Sequence, residues 1–491
     1  MGAPPGTIGV YGKLQMHSAY TGISWTRLGN DVAPGNERFG VQDPLDWHNG
    51  DRIVISSSSY EAHQAEIATL EEVRGHSIRI RERLLYRHLG HSHILEDGRP
   101  IPLAAEIGLL TRNIQIKTDS NCTGRLLVAS FRNASGTEYT GVLQLSNVEI
   151  LGFGSSQFPA VDIMNASSES FIISSSIHQI CGAGIQAVAS SGLSVRDNVV
   201  FDTAGHGIHL GGQDHSLVRN LVVLSKQPEG ASYWVAGIKT NTADNAHLCN
   251  NIVAGSERIA FHIRGQECFL AGEFCGGNVA HSSLHGVHLY GRDGFPNCTK
   301  IAGFLSYKNY DYGILFHLEG NVVVENVILV DNNVGLLPIL FCTSIEPRCH
   351  LEKQHVELRN SVLLATSSSF DCIKDRIHPL SAHPTTRDRA PRSPWRGRVG
   401  ILWPSFTSEP GRWPDHPWHR IQNDSAVLGI MKLQDVTFTG FRKTCYSDDG
   451  DVCIMTSPGH RGVLHMVTSE RTRMFHVNEE NMFHFSPSQT G

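Results

Sequence analysis

A chain of 491 residues with a net charge of −6 and 18% charged residues has neither the basic excess of a nucleic-acid binder nor the charge density of a solvated tail. No apolar run approaches the roughly 18 residues that span a bilayer, so no membrane helix is expected within it. Its 48 glycines point to a turn-dense β protein, and length alone leaves the domain count soft.

The opening stretch, MGAPPGTIGVYGKLQ, has no signal-peptide h-region. Gly6 stands where a myristoylation motif needs Ser or Thr. The chain is therefore expected to be an internal piece of a longer protein, or a sequence whose true start is missing. Trp47–Ser56 holds a turn at Asn49-Gly50-Asp51 that feeds a strand, and Glu66–Glu72 and Ser77–Arg81 are further predicted strands. Ala104–Ile116 then leads into Gly141–Ile150. Residues 1–130 are expected to form a β-rich segment capping the repeats that begin after it.

From residue 131 to 370 the sequence repeats. A short apolar strand recurs as Ile185-Gln186-Ala187, Ile208-His209-Leu210, Ile238-Lys239-Thr240, Phe261-His262-Ile263, Val287-His288-Leu289, Ile314-Leu315-Phe316 and Leu336-Leu337-Pro338. Its central residues lie 23, 30, 23, 26, 27 and 22 positions apart. Such a period, in units rich in Val, Ile, Asn and Gly, marks a solenoid with one coil per repeat. The predicted fold is all-β, a right-handed single-stranded parallel β-helix. Side chains alternate along a strand, so Ile208, Leu210, Phe261, Ile263, Val287 and Leu289 should be buried, with His209, His262 and His288 projecting outward. Gly207, Gly237, Gly286, Gly313 and Gly335 are expected at corners with positive φ. Asn198, Asn251, Asn278 and Asn326 precede the central positions by 11, 11, 10 and 11 residues, which predicts an asparagine ladder at one corner.

Residues 371–425 break the repeat. Arg376–Arg420 carries eight Arg, three acidic residues and four of the seven Trp, and reads as a loop insertion packed on the coil wall. Within it Arg392, Trp395, Arg396 and Arg398 are candidates for a binding cluster. Residues 426–491 resume a coil pattern and end in a polar segment. Eleven cysteines and five sequons, at Asn121, Asn133, Asn165, Asn297 and Asn423, suit an oxidising, extracellular or lumenal setting. Nearness in sequence suggests the pairs Cys268–Cys275, Cys342–Cys349 and Cys445–Cys453. The last would pin the acidic loop Asp448-Asp449-Gly450-Asp451, which resembles a calcium loop without its bidentate Glu.

Several long motifs carry a family resemblance. They are Ser24–Leu28 (SWTRL), Trp47 with Gly50-Asp51 and Ile53-Val54, Arg87-His88, Ala104–Ile116, Ala204–Gly207, Val235–Lys239, Ala254–Arg258, His262–Gly265, Ala280–Tyr290, Ser367–Cys372, Gly400–Pro404, Met431–Phe438 and Cys445–Cys453. Over nearly the whole chain this resembles the fibrocystin family. More distantly, residues 1–130 resemble the segment after the G8 domain of cell-surface hyaluronidases. The fibrocystin resemblance implies a piece of the ectodomain of a very large single-pass membrane protein with G8 domains and parallel β-helix repeats, associated with primary cilia and tubule formation.

Two functions are compatible with these residues. In the first the chain is a non-enzymatic recognition segment of a receptor or adhesion protein, binding a protein or an acidic glycan. His209, Lys239, His262 and His288 would offer a positive outward row at mildly acid pH. No cofactor or metal is expected, since that row has no carboxylate to favour zinc. In the second the chain cleaves a polysaccharide. Gly205-His206-Gly207 and Ile238-Lys239 resemble fragments of polygalacturonase motifs, but the paired aspartates that glycoside hydrolysis needs are missing. Asp202, Glu257 and Asp331 fall 4, 6 and 5 residues after their coil's Asn, so they do not stack into an acid/base pair. Asp214 is a further candidate carboxylate.

Overall fold

A computed structural model describes residues 6–19, 22–118, 122–240, 247–268, 275–289, 295, 298–343, 354–373, 375, 397–403, 425–427, 429–443, 450–456 and 466–485. It divides into two compact units, Met1–Ile263 with Gly277–Ser283, and Arg264–Gly276 with Leu284–Gly491.

The first unit is a parallel β-helix with three strands per coil. One sheet runs Thr7–Val10, Arg125–Ala129, Val161–Met164, Ile185–Ser191, Ile208–Gln213, Ala236–Thr240 and Ile259–Ile263, parallel throughout. A second runs from Ile114–Lys117 through Val199–Thr203 to Asn278–His281. The third runs from Lys13–His17 to His247–Cys249. Alternation buries Ile208, Leu210, Phe261 and Ile263, and leaves His209 and His262 between them on the outer side. In the second unit Val287 and Leu289 are likewise buried. There His285–Leu289, Tyr312–Leu318 and Val334–Thr343 stack in parallel, and Val399–Trp403 and Val452–Thr456 extend the stack.

The corners obey different chemistry from the expectation. None of the five repeat glycines has positive φ. They are needed for close approach: a Cβ on Gly207 would lie 2.5 Å from Val222 Cγ1 and 2.7 Å from Gly237 O, and one on Gly313 would lie 2.6 Å from Gly335 O. The left-handed residues are instead Asp197, Arg219 and Asn250, each one step before a buried asparagine.

Those asparagines form the ladder. Asn198 Nδ2 donates to Asn220 Oδ1 (2.9 Å), Asn220 Nδ2 to Asn251 Oδ1 (2.9 Å), and Asn251 Nδ2 to Asn278 Oδ1 (3.2 Å). Each also donates to a neighbouring backbone carbonyl, so a buried amide is satisfied at every rung. Asn220 belongs to the ladder and Asn326 does not. Asn326 is exposed at φ +52. It fills the left-handed corner itself, and Val327 stands where the ladder residue would be. The second unit has its own short ladder, Asn309 Nδ2 to Asn332 Oδ1 at 3.0 Å.

The N-terminal part adds an antiparallel sheet in the order Trp25–Arg27, Glu106–Leu109, Arg52–Ile55, Glu66–Ile80, Arg38–Leu45. The Asn49-Gly50 turn is present, with Gly50 at φ +93. The layer has a core of its own, including Leu28, Phe39, Trp47, Ile53, Ile78 and Ile107. It lies along the flank of successive coils. Trp25 Nε1 donates to Arg219 O (2.8 Å), and Ser24 Oγ to Asp197 (2.9 Å). His63 meets Glu257 at 2.7 Å, and Glu106 meets His281 at 3.0 Å.

The disulfides between described residues include Cys122–Cys181 and Cys268–Cys298. The second overturns the pairing of Cys268 with Cys275, which is itself disulfide-bonded. Cys453 is free and buried, so the expected Cys445–Cys453 bond is absent. Cys445 and Cys349 lie outside the described residues.

Candidate functional site

The outward row of the first unit is set by strand register. Leu127 pairs with Asp162, Asp162 with Gln186, Gln186 with His209, His209 with Lys239, and Lys239 with His262. Parallel pairing brings these side chains to within about 5 Å of their neighbours. Asp162 was not singled out from the sequence, although Val161-Asp162-Ile163 has the same apolar–polar–apolar form as its successors.

His206 closes one side of the row. It is buried, its ring centre lies 5.2 Å from that of His209 and 5.0 Å from Tyr233, and its Nδ1 accepts the Ala236 N–H at 2.9 Å. That bond fixes a neutral ring carrying its proton on Nε2. Burial, with His209, Lys239 and His262 nearby, pushes its pKa down to about 3. Burial and Lys239 push His209 down to about 4. Burial also lowers Lys239. Of the row expected to be positive in mild acid, His209 stays neutral there. The row thus sets Gln186 and a neutral His209 beside the Lys239 ammonium.

The other end of the row is ion-paired. Arg125 binds the largely buried Asp162 and lies over Phe158, 5.5 Å from the ring centre. Next to the row, Met164 and Val188 pair across strands and are more than two-fifths exposed. Tyr233 is similarly exposed beside His206. Polar and apolar strips thus run side by side on one sheet face.

The remaining candidates are placed elsewhere. His288 belongs to the second unit, 6.1 Å from His285 between ring centres, and burial followed by His285 and His317 holds its pKa well below the usual range. It pairs with Leu315, which pairs with Leu337, and these join Leu402 and Met455 in one buried apolar cluster. Arg398 is no ligand contact. It is buried, bonded to Asp451 (2.8 Å) and Asp331 (3.4 Å), and lies over Phe370 at 3.9 Å. Asp451, the last residue of the calcium-like loop, is spent on that arginine. Arg392, Trp395 and Arg396 lie outside the described residues.

The carboxylates are committed as well. Asp202, at φ +55, pairs with Lys226 at 2.5 Å. Glu257 is held by His63 and by the Gln227 N–H, and Asp331 by Ser367 and Arg398. Asp214 sits exposed at a left-handed corner. Among the described residues no group of three or more His, Cys, Asp or Glu is placed to hold a metal ion. Of the sequons, Asn133 sits in a hairpin turn and Asn165 is exposed at φ +53. Asn121, Asn297 and Asn423 lie outside the described residues.

These features define a parallel β-helix with an antiparallel flanking layer and cross-coil disulfides. No protein-family model matches the chain. In sequence it is 56% identical to fibrocystin of Canis lupus familiaris over 99% of its length, and 30% identical to fibrocystin-L of Homo sapiens over 96%. The chain belongs to the fibrocystin family, and it spans 12% of the length of each of these relatives. It is also 26% identical to the cell surface hyaluronidase of Danio rerio over 50% of the chain and 19% of that protein. Among solved structures, the catalytic domain of a GH87 alpha-1,3-glucanase covers 95% of the chain and is itself 96% covered, at 9% identity. Its TM-score of 0.36 is too low to carry an inference.

Proposed function

We propose that this stretch is a ligand-recognition module of a fibrocystin-like receptor or adhesion protein, displayed on the extracellular side of a plasma or ciliary membrane and performing no chemistry. The observation that carries the reading is the outward row of the first unit. Gln186, His209, Lys239 and His262 line up as hydrogen-bonding groups on consecutive rungs, with exposed Met164 and Val188 alongside. A sheet face held by buried ladders is rigid, so little ordering entropy opposes binding. The Lys239 ammonium among these hydrogen-bonding groups suits an acidic glycan or an acidic protein surface. The disulfides favour an oxidising compartment.

The test is a glycan and protein array probed with the purified chain. A ligand whose binding weakens several-fold in Lys239→Gln, and falls with added salt, supports the reading. Binding indifferent to Lys239→Gln would place recognition elsewhere. The similarity to a cell surface hyaluronidase keeps polysaccharide cleavage as a second reading. It predicts product release from hyaluronan, lost in Asp202→Asn.

A further inference from the structure

We propose that Asn133 carries an N-linked glycan whose first sugar lies on the ring of Phe131. This rests on the reading that the chain is displayed outside the cell, because that route exposes it to the glycosylation machinery.

Phe131–Arg132 and Glu138–Tyr139 form an antiparallel hairpin, with Phe131 opposite Tyr139 and Arg132 opposite Glu138. The intervening turn is tightly specified. Asn133 N–H donates to Thr137 O and Gly136 N–H to Asn133 O, both at 3.0 Å, and Gly136 has φ +85. This is a type I turn followed by a left-handed glycine bulge. Asn133-Ala134-Ser135 inside it is an acceptor sequon.

The asparagine amide is divided between two jobs. Its Oδ1 accepts the Thr137 N–H at 2.8 Å and the Ser135 hydroxyl at 2.7 Å. Neither bond uses Nδ2, so a substituent on that nitrogen leaves the turn intact. Residues two apart in extended chain point to the same side, which sets a sugar on Asn133 beside Phe131.

A second observation concerns the rings. Phe131 stacks with Tyr139 at 6.4 Å and meets Tyr11 edge-on at 5.9 Å. The three are 50%, 48% and 43% exposed. Three half-exposed aromatics, two on the hairpin and Tyr11 from the turn between the first two strands beside it, make an uncovered apolar patch. The apolar C–H face of a pyranose covers such a ring while its hydroxyls stay in water, and a covalent tether at Asn133 holds it there without the entropy cost of a free ligand.

The modification balances simply. Nδ2 forms a bond to C1 of the terminal sugar of a lipid-pyrophosphate-linked oligosaccharide. The C1–O bond to the pyrophosphate breaks, the lipid pyrophosphate leaves with that electron pair, and one amide proton passes to a base of the transferring enzyme. Asn165 offers no such platform: it is exposed at a left-handed corner of the coils.

The experiment expresses the full chain behind a secretion signal in mammalian cells and maps all five sequons by amidase release in heavy-oxygen water with mass spectrometry. Asn133 is expected to be occupied, with occupancy falling in Phe131→Ser while the other sequons are unchanged. Trimming to a single sugar should preserve the melting temperature. Amidase, which leaves an aspartate still able to accept both turn bonds, should lower it by about 1–3 °C, and the two treatments should coincide in Phe131→Ser. An empty Asn133 alongside any filled sequon overturns this proposal and leaves the extracellular reading standing. Five empty sequons overturn both. An occupied Asn133 with equal melting temperatures after the two treatments of the parent chain overturns the stacking.

Discussion

Glu106 and His281, 175 residues apart in the chain, meet at 3.0 Å with both side chains fully buried. Glu106 also accepts from Arg27 and from the Ser56 hydroxyl, and His281 Nδ1 meets Ser282 Oγ at 3.0 Å. This is where the N-terminal layer grips the flank of the coils. Breaking it from one side strands a buried polar group, so Glu106→Ala should destabilise the first unit by about 3–5 kcal/mol. His281→Ala should also destabilise it, and the double variant by less than the sum of the two. Urea unfolding of the four proteins reads all three quantities, and additive losses would deny the coupling.

Acid should weaken the fold in two windows. His206 and His209 have folded-state pKa values of about 3 and about 4 against an ordinary 6.5. The unfolded chain therefore takes up protons first, and stability drops as pH falls from 6.5 towards 4. Glu106 and Glu149 follow at lower pH. Burial alone would raise them, but His281 and Arg27 for the first, and His178 and the Arg112 N–H for the second, hold both below their usual 4.5. Their contribution is lost as pH falls through those depressed values. A urea midpoint that declines between pH 6.5 and 5, with a shallower slope in His206→Gln, is the expected result.

His209 should add nothing to recognition on the outward row over the same upper window. His209 remains neutral until about pH 4, so its affinity for an anionic ligand should not rise between pH 7 and 5. A protonation-driven rise that disappears in His209→Gln would contradict this.

The two kinds of corner asparagine should separate cleanly. Asn220→Leu removes one amide from a continuous buried ladder, strips the Asn198 N–H and the Val195 carbonyl of their side-chain partner and leaves Asn198 Nδ2 only its bond to Ile172 O, at a cost of about 2–4 kcal/mol. Asn326→Ala loses only left-handed tolerance at an exposed corner, about 1 kcal/mol. Chemical denaturation of both variants checks the order.

The thiols provide a chemical check on the coil stacking. Peptide mapping without reduction should yield Cys122–Cys181 and Cys268–Cys298 crosslinks. Burial, then Asp451, raises the Cys453 thiol, so it should resist maleimide in the native chain and react once denatured. Rapid native labelling of Cys453 would show the coil around it to be open.

The coil register was legible because a two-residue period inside a repeat leaves one choice of inside and outside: Ile208 and Leu210 can enter only if His209 does not. Whole-rung partners were harder to see. Cys268 pairs 30 residues ahead, with Cys298, because the antiparallel pairing of Gln266 and Glu267 with Lys300 and Thr299 brings the two together. Asn326 misled because both the left-handed corner and the ladder position accept asparagine, and the sequence marks them one residue apart. The flank contacts of Glu106, His63 and Trp25 rest on single polar pairs across more than 170 residues, and no periodicity announces them. Arg398 looked like surface because its neighbours are polar, yet Asp331 and Asp451 reach it from remote coils.

The flanking layer also bears on how the first unit answers a mechanical load. A bare stack of coils touches only its nearest neighbours, so a pull along its axis peels it rung by rung, each release small. Ser24, Trp25, His63 and Glu106 tie that layer to Asp197, Arg219, Glu257 and His281, which stand on four separate turns of the winding. Tension reaching any one of these turns is shared through the layer with the others, and the braced section gives way as one piece at a higher force than its rungs would singly.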